Sequence, residues 1–207
     1  MAQITIICGD AYDHGRPCGL IMTDPPYDMS GAELARIIGA FSTDHLVMLT
    51  TMRQLLEFMP LTNWQLNFDF VWDGVMPKKS KSYMQPNYLH QTGVYMTKPG
   101  VKSAFDRRRR QRSDVFEGNG YWPTIFRAPR DNVQEHGHAK NAQALTDLLG
   151  SFDVPDVCDP FAGSGSLAVA AWDLDLPCTL IEKDRDSFNS IKNIARFMGA
   201  YGLEVIE

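Results

Sequence analysis

The feature that most restricts the fold of this chain is a strand–turn–helix–strand unit near its carboxyl end. A short strand that begins at Val157 leads into a glycine-rich turn, and an alanine-rich helical segment follows at 167–171. A second apolar strand at 178–181 ends at Glu182. Short apolar strands that alternate with helices favour an α/β fold with a doubly wound sheet.

The turn in this unit, Asp159-Pro160-Phe161-Ala162-Gly163-Ser164-Gly165, predicts a site for an adenosine ligand. Glycine allows the backbone to approach a ligand closely, and the following helix offers free N–H groups at its amino end. Glu182 lies about 20 residues beyond the glycines, where a doubly wound fold carries the carboxylate that binds ribose hydroxyls. The chain has no Gly-Lys-Ser/Thr sequence here, so the turn is not a P-loop.

A second rigid turn, Asp24-Pro25-Pro26-Tyr27, follows the apolar run at 20–23. Each proline fixes φ near about −65° and has no N–H group, and the residue before a proline is kept extended. The Asp24 carboxylate and the Pro25 carbonyl are therefore presented as acceptors beside an aromatic ring. This arrangement suits a planar group with an NH2, such as the edge of a nucleobase. The alternative is a structural Asp-Pro turn with Tyr27 packed over it.

Together, the two turns resemble the motifs of the amino-methyltransferases of DNA that use S-adenosylmethionine. The sequence Asp24-Pro25-Pro26-Tyr27 is similar to the catalytic motif in the form usual for N6-adenine enzymes, whereas N4-cytosine enzymes more often begin it with Ser. The glycine-rich turn is similar to the cofactor motif, and its place after the catalytic motif is the permuted order of the β class. The resemblance covers residues 3–72 and 132–198. It implies a Rossmann-like sheet, mostly parallel, with an antiparallel hairpin at its edge, in which the segment at 89–97 corresponds to the edge strand.

The resemblance also implies roles for individual residues, with S-adenosylmethionine as the cofactor. The target amine would donate to Asp24 and the Pro25 carbonyl, and Tyr27 would stack on a flipped base, so that N6 of adenine is methylated without a covalent enzyme intermediate. For Asp10, a plain turn after a glycine explains the residue equally well, and Asn141 stands where the family has Pro after its Lys. The implied site residues are Asp24, Pro25, Pro26 and Tyr27 for catalysis and Asp10, Asp159, Phe161, Gly163, Ser164, Gly165, Glu182 and Lys140 for the cofactor.

The middle of the chain carries a concentration of positive charge. The 207 residues have a net charge of −5, yet residues 73–130 contain twelve Lys or Arg against four Asp or Glu, a net charge of +8. Adjacent cations without acids to pair them favour contact with the phosphates of double-stranded DNA over a solvated surface. We therefore divide a single domain into a catalytic half (1–72), a basic insert (73–130) and a cofactor-binding half (131–207). The arginines expected to contact DNA are Arg107, Arg108, Arg109, Arg110 and Arg112.

Composition and motifs also limit the possible location, metal content and function of the protein. No apolar run approaches the roughly 18 residues of a membrane span and no secretory signal is recognisable, so a cytoplasmic protein without membrane contact is expected. The cysteines form no C-x-x-C pair, and His136 and His138 have no third ligand nearby, so no metal is expected. N4-cytosine methylation, RNA methylation and a non-catalytic role in binding nucleic acid stay open. The recognition sequence, a homodimer and a restriction partner stay open as well.

Hydrophobic periodicity predicts the other elements. Strands are expected at 3–8, 20–23, 45–51, 64–72 and 89–97, and helices at 31–40, 52–59, 142–149 and 187–198. In the strand at 64–72, every second residue is large and apolar, which predicts one buried face. The residues of that face are Trp64, Leu66, Phe68, Phe70 and Trp72.

Overall fold

Strands and helices alternate at both ends of the chain in the computed structural model, which describes residues 3–73, 84, 90–109, 124–127, 141–198 and 203–206. The described strands are β1 (Ile4–Cys8), β2 (Leu20–Thr23), β3 (His45–Thr50), β4 (Gln65–Asp73), β5 (Gln91–Thr97), β6 (Ile125–Arg127), β7 (Val157–Asp159), β8 (Cys178–Glu182) and β9 (Glu204–Ile206). The described helices are α1 (Gly31–Gly39), α2 (Met52–Phe58), α3 (Ala142–Gly150), α4 (Ser166–Asp173) and α5 (Arg185–Phe197).

The strands form a single sheet in the order β6-β4-β5-β3-β2-β7-β8-β1-β9. Strand β2 is parallel to β3 and β7, and β1 is parallel to β8 and β9, whereas β5 is antiparallel to β3 and β4. The predicted mostly parallel α/β sheet is therefore confirmed. Strands from both ends of the chain lie side by side, so each end needs the other to complete its part of the sheet.

Both faces of the central strands are buried, which accounts for their nearly continuous apolar sequences. Alternate residues of a strand enter different cores: Leu20 and Met22 pack with α3, α4 and α5, whereas Ile21 packs with α1 and α2. Helix α1 contributes Leu34, Ile37 and Ile38, which are almost completely buried. Burial of each such side chain stabilises the fold by about 1.5–3 kcal/mol. Among the described residues, no helix has the length and apolarity needed to cross a bilayer.

The antiparallel hairpin differs from the sequence prediction in two respects. The resemblance implied that the strand at 89–97 is an edge strand of the sheet. In the structure, β5 lies inside the sheet between β3 and β4. The register of β4 also shifts between Leu66 and Phe68. This irregularity breaks the expected single face, because a bulge redirects the side chains that precede it. Trp64 packs in one core and Trp72 in the other, while Leu66 is 52% exposed.

Candidate active site

The two turns identified in the sequence lie together at the carboxyl edge of the parallel strands. Strand β2, which ends in the Asp24 turn (residues 24–27), pairs with β7, which ends in the glycine turn (residues 159–165). The Thr23 hydroxyl donates a hydrogen bond of 2.6 Å to the Asp159 carboxylate, and both side chains are buried. Residues 136 positions apart are thus joined directly. In open α/β sheets, this edge is where ligands bind.

The Asp24 turn is held in place by hydrogen bonds from other parts of the chain. The Asp24 side chain is half-buried and accepts a 2.6 Å hydrogen bond from Nε2 of Gln91, at the start of β5. The Pro26 carbonyl accepts hydrogen bonds from the Met29 N–H and from Nε2 of Gln54. Among the described residues, no group donates to the Pro25 carbonyl. The turn is therefore held through Pro26, and the Pro25 oxygen keeps its accepting capacity.

Helix α2 holds the Asp24 turn through one buried side chain. The Nε2 group of Gln54 donates to the Pro26 carbonyl at 2.9 Å and to the Met29 carbonyl at 3.1 Å. Its Oε1 atom accepts a 2.7 Å hydrogen bond from the Thr50 hydroxyl. Gln54 is only 2% exposed, and burying an amide is favourable when it is hydrogen-bonded in this way. Its three contacts fix the position of the turn relative to β3.

Tyr27 ends the turn with an aromatic ring at the protein surface. The residue is 42% exposed, although large apolar side chains are more often buried. Partial burial and the nearby negative charge of Asp24 raise the pKa of the Tyr27 phenol, so the ring stays neutral at ordinary pH. A half-exposed, uncharged ring can stack on a planar ligand.

The glycine turn is built on the Asp159 side chain and on two left-handed glycines. Asp159 accepts from the Phe161 N–H at 2.9 Å, and Phe161 is half-buried against the core between the sheet and α1 and α2. Gly163 and Gly165 have φ values of +51° and +76°, a region that other residues rarely adopt. A Cβ on Gly165 would lie 3.0 Å from Ile191 of α5, so Gly165 also allows α4 to pack there. The hydroxyl groups of Ser164 and Ser166 form a hydrogen bond of 2.9 Å with each other.

Glu182 lies beside the glycine turn at the end of β8. Its two carboxylate oxygens accept hydrogen bonds of 2.7 Å, one from the Gly163 N–H and one from the Asp184 N–H. The Gly9 N–H donates to the Glu182 carbonyl at 3.0 Å, which brings the end of β1 to the same place. Each carboxylate oxygen can accept a second hydrogen bond, so Glu182 can still bind hydroxyl groups.

Asp10 follows β1 and faces the residue after Glu182. Its carboxylate accepts from the Lys183 ammonium at 3.0 Å and from the Tyr12 N–H at 3.1 Å. These two contacts, with Lys183 the larger, hold the pKa of the Asp10 carboxyl below its usual range. Asp10 is thus the cap of a short helical turn, Ala11–His14, and also a charged group at the carboxyl edge. Both sequence interpretations of Asp10 are compatible with this position.

Asp159 has the most perturbed carboxyl group of the site. Burial raises its pKa to about 7, although the hydrogen bonds from Thr23 and from the Phe161 N–H act in the opposite direction. The negative charges of Asp24 and Glu182 raise it further. This mutual influence reflects three acidic side chains gathered around one edge of the sheet, an environment that favours a cationic ligand.

Comparison with known proteins identifies the architecture. The sequence matches no family model and no curated protein. Among solved structures, M1.HpyAVI in complex with SAM superposes with a TM-score of 0.70 at 18% identity, covering 93% of this chain and all of that chain (100%). The chain shares its fold with DNA methyltransferases. TTHA0409 of Thermus thermophilus, assigned as a DNA modification methylase and complexed with S-adenosyl-L-methionine, gives a TM-score of 0.71 at 17% identity, covering 100% and 98%. The cytosine-N4-specific PvuII DNA methyltransferase gives 0.70 at 14% identity, covering 99% and 95%.

The arginine run is described only in part. Arg110, Arg112 and the side chain of Arg108 lie outside the described residues, as do Lys140, His136 and His138. Arg107 is exposed, and Arg109 forms a 3.0 Å ion pair with Asp153. The premise that no acid pairs with the run was therefore wrong for Arg109. Asp153 precedes β7, so this ion pair lies at the edge of the sheet opposite the Asp24 turn.

Two residues in contact with the Asp24 turn were not selected from the sequence. Gln54 and Gln91 are 2% and 4% exposed, and both donate to the turn through their side-chain amides. Each is a polar residue within an element predicted from hydrophobic periodicity, the helix at 52–59 and the strand at 89–97. A buried amide requires partners, so a glutamine at such a position is a signal that sequence analysis can use.

Proposed function

We propose that this protein is an S-adenosylmethionine-dependent DNA methyltransferase that methylates N6 of a flipped adenine. The observation that carries the proposal is the hydrogen bond between Thr23 and Asp159, which joins the strand of the Asp24 turn to the strand of the glycine turn. A methyl donor at one turn and an acceptor amine at the other would then meet at one edge of the sheet. The fold shared with DNA methyltransferases over nearly the whole chain supports this assignment.

The residues around the glycine turn are suited to the proposed cofactor. Glu182 and Asp10 offer carboxylates for ribose and adenine groups, and Gly163 is exposed with no side chain to obstruct a ligand. Asp159, Phe161, Ser164 and Gly165 shape the turn, and Lys140 stays in the proposed set on sequence grounds alone. When bound, S-adenosylmethionine supplies a methyl group on a positively charged sulfur, whose C–S bond breaks as the N–C bond forms. The acidic surroundings favour that positive charge.

The Asp24 turn would activate the target amine. The lone pair of an exocyclic nitrogen is delocalised into the base, so the nitrogen is a weak nucleophile. Its two N–H groups would donate to Asp24 and to the Pro25 carbonyl, which favours a tetrahedral nitrogen with an available lone pair. The Asp24 carboxylate also stabilises the positive charge that develops on nitrogen. The sulfur leaves as a neutral thioether, and the methylated nitrogen becomes neutral when it releases one proton to solvent. Pro26, held by Gln54, keeps these acceptors in position.

Tyr27 and the basic insert would bind the substrate. A base in duplex DNA must leave the helix before it can reach the Asp24 turn, which costs a few kcal/mol. Stacking on the half-exposed Tyr27 ring offsets part of this cost. We retain the arginines at 107–110 and Arg112 as proposed phosphate contacts, and with them the division into a catalytic half, a basic insert and a cofactor-binding half.

The choice of adenine is supported by Asp24 at the first position of its motif, where N4-cytosine enzymes more often have Ser. The neighbouring PvuII enzyme is cytosine-N4-specific and has the same fold, so N4-cytosine methylation is the second candidate. Adenine and cytosine both present an exocyclic amine, and the same acceptors serve either base. Methylation of RNA requires the same chemistry, whereas a non-catalytic protein would not need an activated amine.

Product analysis tests the proposal directly. The purified protein is incubated with S-adenosylmethionine carrying a labelled methyl group and with genomic DNA from a host that lacks adenine methylation. The DNA is then digested to nucleosides and analysed by mass spectrometry. Labelled N6-methyladenine is the expected product, and labelled N4-methylcytosine would establish the second candidate. Parallel reactions with RNA and with the Asp24→Ala variant serve as controls, and the absence of label in every nucleic acid would contradict a catalytic function.

A further inference from the structure

The side chain of Gln91 has an unusual combination of burial and incomplete hydrogen bonding. It is 4% exposed at the start of β5 and donates from Nε2 to Asp24 over 2.6 Å. Its Oε1 atom is buried and has no hydrogen-bond partner among the described residues. A buried amide with an unpaired oxygen is less favourable than an apolar side chain of the same size. Stability of the fold therefore gives a poor explanation for an amide at this position.

The contact with Asp24 offers a better explanation. An ionised carboxylate only accepts hydrogen bonds, so the amide must turn its NH2 toward Asp24. A hydrogen bond to a charged acceptor is shorter and stronger than one between neutral groups, and 2.6 Å is slightly shorter than the usual N–H···O distance of about 2.7–3.2 Å. Gln91 begins β5, whereas Asp24 lies in the turn after β2, 67 positions earlier in the chain. The bond therefore ties the direction of the carboxylate to β5, which lies inside the sheet between β3 and β4.

We propose that Gln91 is a positioning residue for the methyl-transfer reaction, which orients the Asp24 carboxylate toward the target amine. The inference rests on the proposed function. One oxygen of Asp24 is held by Gln91, so rotation of the carboxylate is restricted when the amine arrives. A hydrogen-bond donor is required here, because a second carboxylate would repel Asp24 and an apolar group would remove this restraint.

Two variants of Gln91 test this role, with the same changes at Gln65 as controls. Gln65 begins β4 and is exposed. Gln91→Met preserves the shape of the side chain but removes the donor, and we expect kcat to fall by about 100-fold because misplacement of a reacting group has effects of this size. The affinity for S-adenosylmethionine and the thermal midpoint should stay at wild-type values. If Gln91 were only structural, the thermal midpoint would fall and kcat would stay within about twofold of the wild-type value.

The second variant, Gln91→Glu, gives a pH signature that a structural role would not produce. In its protonated form the introduced carboxyl group can donate to Asp24 as the amide does, whereas in its ionised form it repels Asp24. The ratio of variant to wild-type kcat should therefore rise at least tenfold as pH is lowered from 9 to 6. Within the part of the chain that the structure describes, Asp159 and Tyr27 are titratable groups influenced by the charge of Asp24, and Glu182 acts on Asp159. These groups are present in both proteins, so their titration cancels in the ratio.

The outcomes distinguish this inference from the proposed function. An inactive wild-type protein would contradict the proposed function, and with it the role of Gln91. An active wild-type protein with a pH-independent ratio for Gln91→Glu would overturn the inference alone. If Gln91→Met does not fold, the pH dependence of Gln91→Glu still decides.

Discussion

At the residue scale, the two proline carbonyl groups of the Asp24 turn differ in their hydrogen bonds. The Pro26 oxygen receives two hydrogen bonds from the protein, while no described residue donates to the Pro25 oxygen. The Asp24 carboxylate is restrained on one side by Gln91. Pro25 and Pro26 restrict movement of the two backbone carbonyl groups, because each proline ring fixes its own φ. The turn thus combines a fixed backbone with a half-buried Asp24 carboxylate, whereas Pro25 itself is buried.

Replacing Asp24 should separate catalysis from cofactor binding. We expect Asp24→Ala to abolish methyl transfer, because the amine loses its charged acceptor, while S-adenosylmethionine still binds at the glycine turn. Methyl transfer to DNA and calorimetric titration of the cofactor measure the two properties. Activity above a few per cent of the wild-type level would remove Asp24 from the mechanism.

Glu182→Ala should weaken cofactor binding. The loss of a charged hydrogen-bond partner costs about 1.5–3 kcal/mol, which calorimetric titration can measure. The variant also removes the acceptor of the Gly163 N–H, so Glu182→Gln provides the matched control. The Gln side chain keeps one acceptor and should lose less affinity. Unchanged affinity in both variants would mean that the ribose is bound elsewhere.

The raised pKa of Asp159 predicts a pH-dependent stability. The folded protein keeps this carboxyl protonated up to about pH 7, whereas the unfolded chain releases the proton near the ordinary pKa of 3.8. Because the folded state binds the extra proton, stability is lost as pH rises from about 4 to 7, by up to about 4 kcal/mol. Asp159→Asn stays neutral and can still accept from Thr23. The variant should therefore unfold at a higher temperature than the wild type at pH 8, with a smaller difference at pH 5. An equal difference at both pH values would show that Asp159 ionises normally.

At the element scale, helix α2 and strand β5 hold the Asp24 turn from two sides. Gln54 extends from α2 and Gln91 from β5, and each donates through its amide to an oxygen of the turn. Helix α2 begins directly after β3, with its Thr51 side chain accepting from the Gln54 N–H. The position of the turn therefore depends on elements that follow it in the chain.

Gln54→Met should loosen the turn while preserving the volume of the side chain. The carbonyls of Pro26 and Met29 would lose a donor, and the Thr50 hydroxyl would lose its acceptor. We expect a loss of about 1–3 kcal/mol in unfolding free energy, together with a lower kcat. Chemical denaturation and methyl-transfer rates measure these effects. The control is Gln65→Met at the exposed start of β4. A Gln54→Met variant with the same stability and kcat as this control would contradict the proposed restraint.

At the scale of the whole molecule, charge is unevenly distributed along the chain. Residues 73–130 have a net charge of +8 in a protein whose net charge is −5. The acidic side chains Asp24, Asp159 and Glu182 gather at the carboxyl edge of the sheet, whereas the Arg109–Asp153 ion pair lies at the opposite edge. If the arginine run contacts phosphates, the bound DNA must therefore extend from the Asp24 turn toward the opposite edge of the sheet.

The salt dependence of DNA binding tests the arginine run. Each phosphate contact adds about −0.9 to the slope of log affinity against log salt. The triple variant Arg108→Ala, Arg109→Ala, Arg110→Ala should flatten that slope by up to about 3 and weaken binding to all duplexes alike, without changing the methylated sequence. Arg53→Ala is the control, since this exposed arginine lies on α2 outside the run. An unaltered slope in the triple variant would indicate a solvated surface, and a changed sequence preference would indicate base contacts.

Local sequence was sufficient to predict most elements and both turns. Strand β2 was predicted with its observed ends, and the glycine turn with β8 was predicted because apolar runs and glycines act over a few residues. The three-residue strands β6 and β9 were missed, since so short a segment has no measurable period. The helix predicted at 187–198 begins earlier, at Arg185, where the Asp184 side chain caps it.

Tertiary structure alone decided how these parts meet. Proline fixes its own φ and glycine permits a positive φ, so the shapes of the two turns follow largely from the local amino-acid sequence. Hydrogen bonds between distant residues, such as Thr23 with Asp159 and Gln91 with Asp24, depend on the order of strands in the sheet. The bulge in β4, the inner position of β5 and the raised pKa of Asp159 likewise arise from packing between elements. Sequence periodicity reports which residues of one element share a face, but not which element that face will contact.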